Sequence, residues 1–102
     1  MVAEEGARGA ETAEMRRLRR RIDALDRRIV GLLNERAELG REVGRAKATA
    51  GRRAIRDAER EREVLLRVTM ANTGPMPQAD LLAIYRRLFA VSRTLEGRDR
   101  ER

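Results

Sequence analysis

Residues 18–43 read LRRRIDALDRRIVGLLNERAELGREV, and this stretch decides the fold. Large apolar side chains recur in it three, four or seven residues apart: Leu18, Ile22, Leu25, Ile29, Leu32, Leu39 and Val43. These intervals follow one face of an α-helix, so the stretch predicts a long amphipathic helix. Thr12 is a suitable N-cap, and Gly51 is placed to end the helix after about Ala50. Such a helix would extend roughly 55 Å at about 1.5 Å per residue, which is too long for one small domain to cover.

Two shorter amphipathic helices are predicted after it. Asp57 is a good N-cap for the second helix, and the segment 72–77, which reads NTGPMP, ends that helix. The third helix is expected to run from about Gln78 to Leu95, with Gly97 closing it. No stretch alternates apolar and polar residues, so strands are not expected.

The chain therefore predicts an all-α fold built from a three-helix protomer with one long and two shorter helices. Only 27 of the 102 residues are large and apolar, which is a thin core for a monomer of this length. We therefore expect two protomers to cover each other in an intertwined helical homodimer. The expected boundaries are a disordered lead-in at 1–11, a helical domain at 12–97 and a charged tail at 98–102.

Composition excludes several kinds of chemistry. The chain has no Cys, His or Trp, so a Ser-His-Asp triad, a Cys–His nucleophile pair and a Cys or His zinc site are not possible. The absence of cysteine favours a reducing, cytoplasmic location. No apolar run approaches the roughly 20 residues that cross a bilayer, so no membrane segment is expected.

The net charge of +7 and the pI near 11.3 predict an anionic partner. Composition alone leaves open whether that partner is a nucleic acid, an acidic membrane or a small polyanionic substrate. Of the 24 basic residues, 23 are Arg, and Lys47 is the one Lys. Because nearly every basic residue is Arg, composition does not explain the lysine at position 47.

Two cations interrupt the apolar stripe of the first helix. Arg36 and Lys47 are eleven residues apart, so they share one helix face at a separation of roughly 16 Å. Buried charge is costly unless it is paired, so these cations either meet protein carboxylates, extend to solvent or hold a bound anion. Gly40 and Gly44 lie between them and indicate either close helix packing or room for a ligand.

Polar residues also cluster in the later helices. Asp57, Arg60 and Glu61 project from one side of the second helix, where they form either a cap with surface ion pairs or part of an anion site. Ser92 and Glu96 continue the apolar stripe of the third helix. Their plain interpretation is a core hydroxyl bonded to the preceding turn and a frayed helix end.

The sequence resembles the all-helical class of chorismate mutases over about residues 15–96. The resemblance rests on separated motifs in the right order: LRRRIDALD at 18–26, LLNER at 32–36, VGRAK at 43–47, IRDAERE at 55–61, and Ser92 with Glu96 in the last helix. Members of that class are small intertwined helical dimers that rearrange chorismate, a dianion, to prephenate. The resemblance implies the same pericyclic reaction here, without cofactor, metal or covalent intermediate, in aromatic amino-acid biosynthesis.

The resemblance also implies a substrate carboxylate site. In it, Arg36 would hold one carboxylate, and Lys47 would reach both a carboxylate and the ether oxygen of the substrate. Arg19 would come from the partner protomer and bind the second carboxylate. Arg60 and Ser92 would lie beside a carboxylate.

Three acidic residues complete the set. The resemblance places Asp57 and Glu61 at the ring hydroxyl of the substrate. Glu96 stands where many relatives have Gln and some have Glu. The residues expected to act in catalysis itself are therefore Lys47, Glu96 and Arg36.

Other functions remain open at this point. Related scaffolds act on isochorismate as pyruvate lyases or on 4-amino-4-deoxychorismate as mutases. Outside the class, the basic run 16–21 fits a helical module that binds nucleic acid or a protein partner. Acidic residues interleave the arginines of the first helix, and aromatic side chains for base stacking are almost absent, so no nucleic acid is expected.

Overall fold

The computed structural model describes residues 10–52 and 56–101, and it contains three α-helices in that part of the chain. They are α1 (Ala13–Thr49), α2 (Ala58–Ala71) and α3 (Gln78–Arg100). No strand occurs among the described residues, so the all-α prediction is confirmed. The predicted lead-in falls mostly on residues 1–9, and the segment between Gly51 and Asp57 includes 53–55. Residues 1–9 and 53–55 lie outside the described residues.

The helix boundaries follow from local caps. The Thr12 hydroxyl oxygen accepts a hydrogen bond from the Met15 amide at 3.0 Å, which satisfies one open N–H group at the start of α1. Asp57 Oδ1 does the same for the Arg60 amide at 3.0 Å at the start of α2. Gly51 and Gly74 adopt positive φ values of 79° and 82° after α1 and α2, a conformation that a side chain disfavours.

The predicted end of α3 at Gly97 is wrong, because the helix continues to Arg100. Asp99 accepts hydrogen bonds from Nη2 and Nε of Arg41 at 2.8 and 3.0 Å, which tie the additional turn to α1. This hydrogen bonding and the charge of Asp99, with a smaller contribution from Glu38, raise the pKa of Arg41. The ion pair offsets the weak helix preference of Gly97.

The chain divides into two compact units, residues 1–35 and 36–102. In the described part of the first unit, the apolar stripe of α1 is largely exposed, with Ile22 at 54% and Leu32 at 59% of full exposure. In the second unit, Phe89 is the one large apolar side chain among the described residues that is buried, at 7% exposure. The thin core that composition predicts is therefore present. No described helix combines the length and the apolar character that crossing a membrane requires.

Candidate active site

A cleft of about 270 Å³ lies within the second unit, between the last turns of α1, the start of α2 and the second half of α3. Seven of the eight residues proposed from the sequence line it: Arg36, Lys47, Asp57, Arg60, Glu61, Ser92 and Glu96. Its apolar wall is formed by Leu39, Val43, Val64 and Phe89. Residues far apart in sequence therefore converge on one cavity of the size that a small molecule occupies.

Arg36 and Lys47 are half-buried, and neither forms an ion pair with a carboxylate in the described part of the chain. The guanidinium of Arg36 instead lies 5.7 Å from the ring centre of Tyr85 and 5.8 Å from that of Phe89. The two rings meet edge to face, with their centres 6.4 Å apart. Contact with these rings stabilises the Arg36 cation only modestly. The charges of Arg36 and Lys47 therefore remain available to an anionic ligand.

Asp57 has two roles in this geometry. Its Oδ1 caps α2, while Oδ2 lies 3.9 Å from Nη2 of Arg52. Nη1 of Arg60, one turn further on, lies 3.2 Å from Oε1 of Glu63. This exposed ion pair agrees with the alternative in which Arg60 forms a surface pair. Both residues nevertheless line the cleft, so the cap and the cavity wall share the same side chains.

Glu61 is held on both sides by arginine. Its Oε2 accepts a hydrogen bond from Nη1 of Arg93 at 2.6 Å, and its Oε1 lies 3.5 Å from Nε of Arg56. Arg93 also lines the cleft, and the sequence-based set omitted it. Its position three residues before Glu96 and four after Phe89 was the available signal, because that spacing places all three on one side of α3.

Glu96 is buried against a glycine of α1. It is 7% exposed, and its Oε2 has no hydrogen-bond partner in the described part of the chain. A Cβ atom on Gly44 would stand 2.8 Å from Cγ of Glu96, and one on Gly40 would stand 3.6 Å from Oγ of Ser92. The interpretation of Glu96 as a frayed, solvated end is therefore wrong, and the glycine pair permits close packing of α1 against α3.

Gly44→Ala is expected to lower the free energy of unfolding by about 1 kcal/mol. The methyl group would crowd the buried Glu96, and this destabilisation exceeds the stabilisation from the higher helix preference of Ala. The matched control is Gly31→Ala, where a Cβ would meet no atom within 4 Å and which is expected to stabilise by about 1 kcal/mol. Urea denaturation of the three proteins measures both values. Equal changes at the two glycines would contradict the packing of Glu96 on Gly44.

Arg19 belongs to the first unit and is not one of the cleft residues. Its guanidinium forms an ion pair with Glu11, just before the start of α1.

The charge of the cleft suits a small anion. Four cations line it, Arg36, Lys47, Arg60 and Arg93, against three carboxyl groups, Asp57, Glu61 and Glu96. The balance is 4 − 3, or +1 when every group is ionised, in a cavity with an apolar wall. The described residues include no group of three acidic side chains placed to hold a metal ion. The arrangement can fix an anion and stabilise charge that develops on it, and it contains no activated nucleophile.

Comparison with known proteins points in one direction. The family model described as chorismate mutase type II matches residues 18–97. A bifunctional chorismate mutase/prephenate dehydratase of Aquifex aeolicus is 38% identical over 87 residues, which are 81% of this chain and 24% of that protein. The protein of the same description from Escherichia coli K12 is 49% identical over 51 residues, which are 50% of this chain and 13% of that protein. The chain thus spans a quarter or less of the length of these curated relatives.

Solved structures agree with the sequence comparison. Form II of chorismate mutase from Thermus thermophilus has a TM-score of 0.78 and 34% identity, over 83% of this chain and 96% of that one. Form I of the same protein has a TM-score of 0.73 and 33% identity, over 78% of this chain and 98% of that one.

Proposed function

The chain belongs to the chorismate mutase type II family, and on that premise we propose that it rearranges chorismate to prephenate. The observation that carries the proposal is the pair of half-buried cations, Arg36 and Lys47, which face a small cleft without carboxylate partners among the described residues. A dianionic substrate would supply the negative charges that pair with these two cations. The step belongs to aromatic amino-acid biosynthesis, and the cytoplasmic location stays a prediction.

The reaction needs little from the protein beyond shape and charge. Chorismate must fold its enolpyruvyl arm over the ring, and the ether bond then breaks as the new carbon–carbon bond forms. Negative charge develops on the ether oxygen in this transition state. A cleft that holds the folded conformer and directs a cation at that oxygen lowers the barrier by positioning and by electrostatic stabilisation.

In the proposed complex, Arg36 binds one carboxylate of the substrate, and Lys47 bridges a carboxylate and the ether oxygen. Arg60 and Ser92 support the same end of the molecule. Support for this assignment comes from α1, which directs Arg36 and Lys47 into the cleft from one helix face.

The other end of the cleft is assigned to the ring. Asp57 and Glu61 lie at the ring hydroxyl, whose single proton one of the two carboxylates accepts, and Glu96 lies near the ether oxygen. Support comes from the burial of Glu96 and from its Oε2 atom, which lacks a partner in the described part of the chain.

We place the site in a homodimer, with Arg19 of the partner protomer on the second carboxylate. Two observations favour this. The stripe of α1 exposes Leu18, Ile22, Leu25, Ile29 and Leu32, a run of apolar side chains that a second copy would cover. In addition, Arg19 is not among the residues that line the cleft.

The test is to follow the loss of chorismate absorbance and the formation of prephenate with purified protein. Isochorismate and 4-amino-4-deoxychorismate, the substrates of related scaffolds, are compared with chorismate by kcat/KM. A gel shift with random duplex DNA tests the basic-module alternative. A shift at physiological salt without turnover of any of the three compounds would contradict the proposed function.

Glu96 places a carboxyl group, rather than an amide, beside the ether oxygen in the proposed reaction. A carboxylate cannot donate a hydrogen bond to the ether oxygen, and its charge would repel the developing charge there. Glu96→Gln, an uncharged donor of nearly the same shape, is therefore expected to raise kcat/KM for chorismate.

Steady-state kinetics of the parent and Glu96→Gln with chorismate at neutral pH measure this difference. Glu59→Gln, on the exposed part of α2, is the matched control for loss of one acidic group. If the parent and Glu96→Gln have the same kcat/KM, Glu96 does not place a charge beside the ether oxygen.

A further inference from the structure

We propose that Arg93 determines which ring substituent the site accepts, by neutralising Glu61 so that a hydroxyl is favoured over a protonated amine. The inference rests on the proposed function, since it places the ring substituent of a chorismate-type substrate at Glu61. It adds to that function a residue, Arg93, whose charge lets the site discriminate between chorismate and 4-amino-4-deoxychorismate.

The geometry makes Arg93 the main partner of Glu61. Nη1 of Arg93 lies 2.6 Å from Oε2 of Glu61, and the two side chains are only 33% and 17% exposed. Arg56 reaches the other oxygen at 3.5 Å, but its side chain is 66% exposed, so solvent screens this second pair more strongly. Both side chains of the closer pair line the cleft, whereas Arg56 does not.

A carboxylate paired in this way can still bind a hydroxyl. Its two oxygens offer about four lone-pair positions, so Glu61 accepts from Arg93 and keeps capacity for a substrate O–H group. Its charge, however, is already balanced. An incoming ammonium group meets this neutral pair, with Asp57 as the remaining carboxylate at the ring substituent and the further cations Arg36, Lys47 and Arg60 in the same cleft.

Removal of Arg93 shifts this preference towards the amine. Glu61 then keeps a negative charge in a mostly buried position, and of its two ion-pair partners only the exposed Arg56 remains. A ring ammonium supplies the missing charge through a charge-assisted hydrogen bond, whereas a hydroxyl does not. The ring amine of 4-amino-4-deoxychorismate is protonated near neutral pH, as ordinary aliphatic amines are.

The experiment measures kcat/KM for chorismate and for 4-amino-4-deoxychorismate at neutral pH, and compares their ratio between variants. Arg93→Gln is expected to raise the ratio of amino to hydroxyl substrate at least about tenfold over the parent, the size of one charge-assisted hydrogen bond. Arg93→Lys, which keeps the charge, is expected to stay within about threefold of the parent. Arg87→Gln removes the same charge from an exposed position of α3 outside the cleft and is expected to leave the ratio unchanged.

A second arm tests whether Glu61 transmits the effect. In a Glu61→Gln background, adding Arg93→Gln is expected to leave the ratio where Glu61→Gln alone puts it. If circular dichroism shows that Arg93→Gln folds poorly, Arg93→Met, with an uncharged side chain of similar length, replaces it. The same rise in the ratio of amino to hydroxyl substrate is expected.

The outcomes separate the two proposals. A parent that turns over chorismate, together with a folded Arg93→Gln whose ratio does not move, overturns the role of Arg93 and leaves the proposed function intact. A ratio that rises equally in Arg93→Gln and Arg87→Gln also overturns it, since the effect is then one of net charge. A parent that turns over neither compound overturns the proposed function and this inference together.

Discussion

Lys47→Ala is expected to lower kcat/KM for chorismate by about 100- to 1000-fold, a loss of about 3–4 kcal/mol in transition-state stabilisation. Lys47 is half-buried in the cleft and has no carboxylate partner in the described part of the chain, so its charge is available to an anionic substrate. The loss falls largely on kcat, because the charge on the ether oxygen develops during the reaction. Steady-state kinetics with the purified variant measures it.

Folding is expected to survive Lys47→Ala, since no ion pair of the described residues depends on this side chain. Arg45→Ala is the matched control, because Arg45 lies two residues earlier on α1, is 52% exposed and does not line the cleft. It should keep activity near that of the parent. A Lys47→Ala protein that is folded and within a few fold of the parent would show that Lys47 does not act at the ether oxygen.

Mixing Arg19→Ala protomers with Arg36→Ala protomers is expected to restore activity that neither homodimer has. Each homodimer should lose at least about 100-fold, since each lacks one carboxylate-binding arginine in both pockets. In a heterodimer, one pocket combines an intact Arg36 with the intact Arg19 of its partner, and the other pocket lacks both. With random exchange of equal amounts, about a quarter of all pockets are complete, so about a quarter of the parent activity should return.

The control mixture combines Lys47→Ala with Arg36→Ala protomers. Both residues line the cleft of the same chain, so every pocket in this mixture lacks one of them and no recovery is expected. Subunit exchange is verified with differently tagged protomers. Absence of recovery in the Arg19 and Arg36 mixture after verified exchange would place the whole site within one chain.

The sequence by itself determined the helices, because caps and apolar spacing depend on relations within one helix, and its resemblance to chorismate mutases supplied most of the cleft residues. The caps at Thr12 and Asp57 act on amide groups only three residues away, so their effect is local and readable. The three- and four-residue spacing likewise showed that Arg36 and Lys47 share the apolar face of α1, and both line the cleft.

Only the tertiary structure decided which side chains meet between helices. The pairing of Arg93 with Glu61 joins residues 32 positions apart, and that of Arg41 with Asp99 joins residues 58 positions apart. With 23 arginines in 102 residues, the sequence offers many possible partners for every carboxylate. The choice depends on the rotation and separation of packed helices, which periodicity within one helix does not contain. Two further features depend on the packing of α1 against α3 for the same reason. They are the burial of Glu96 against Gly44 and the extension of α3 past Gly97.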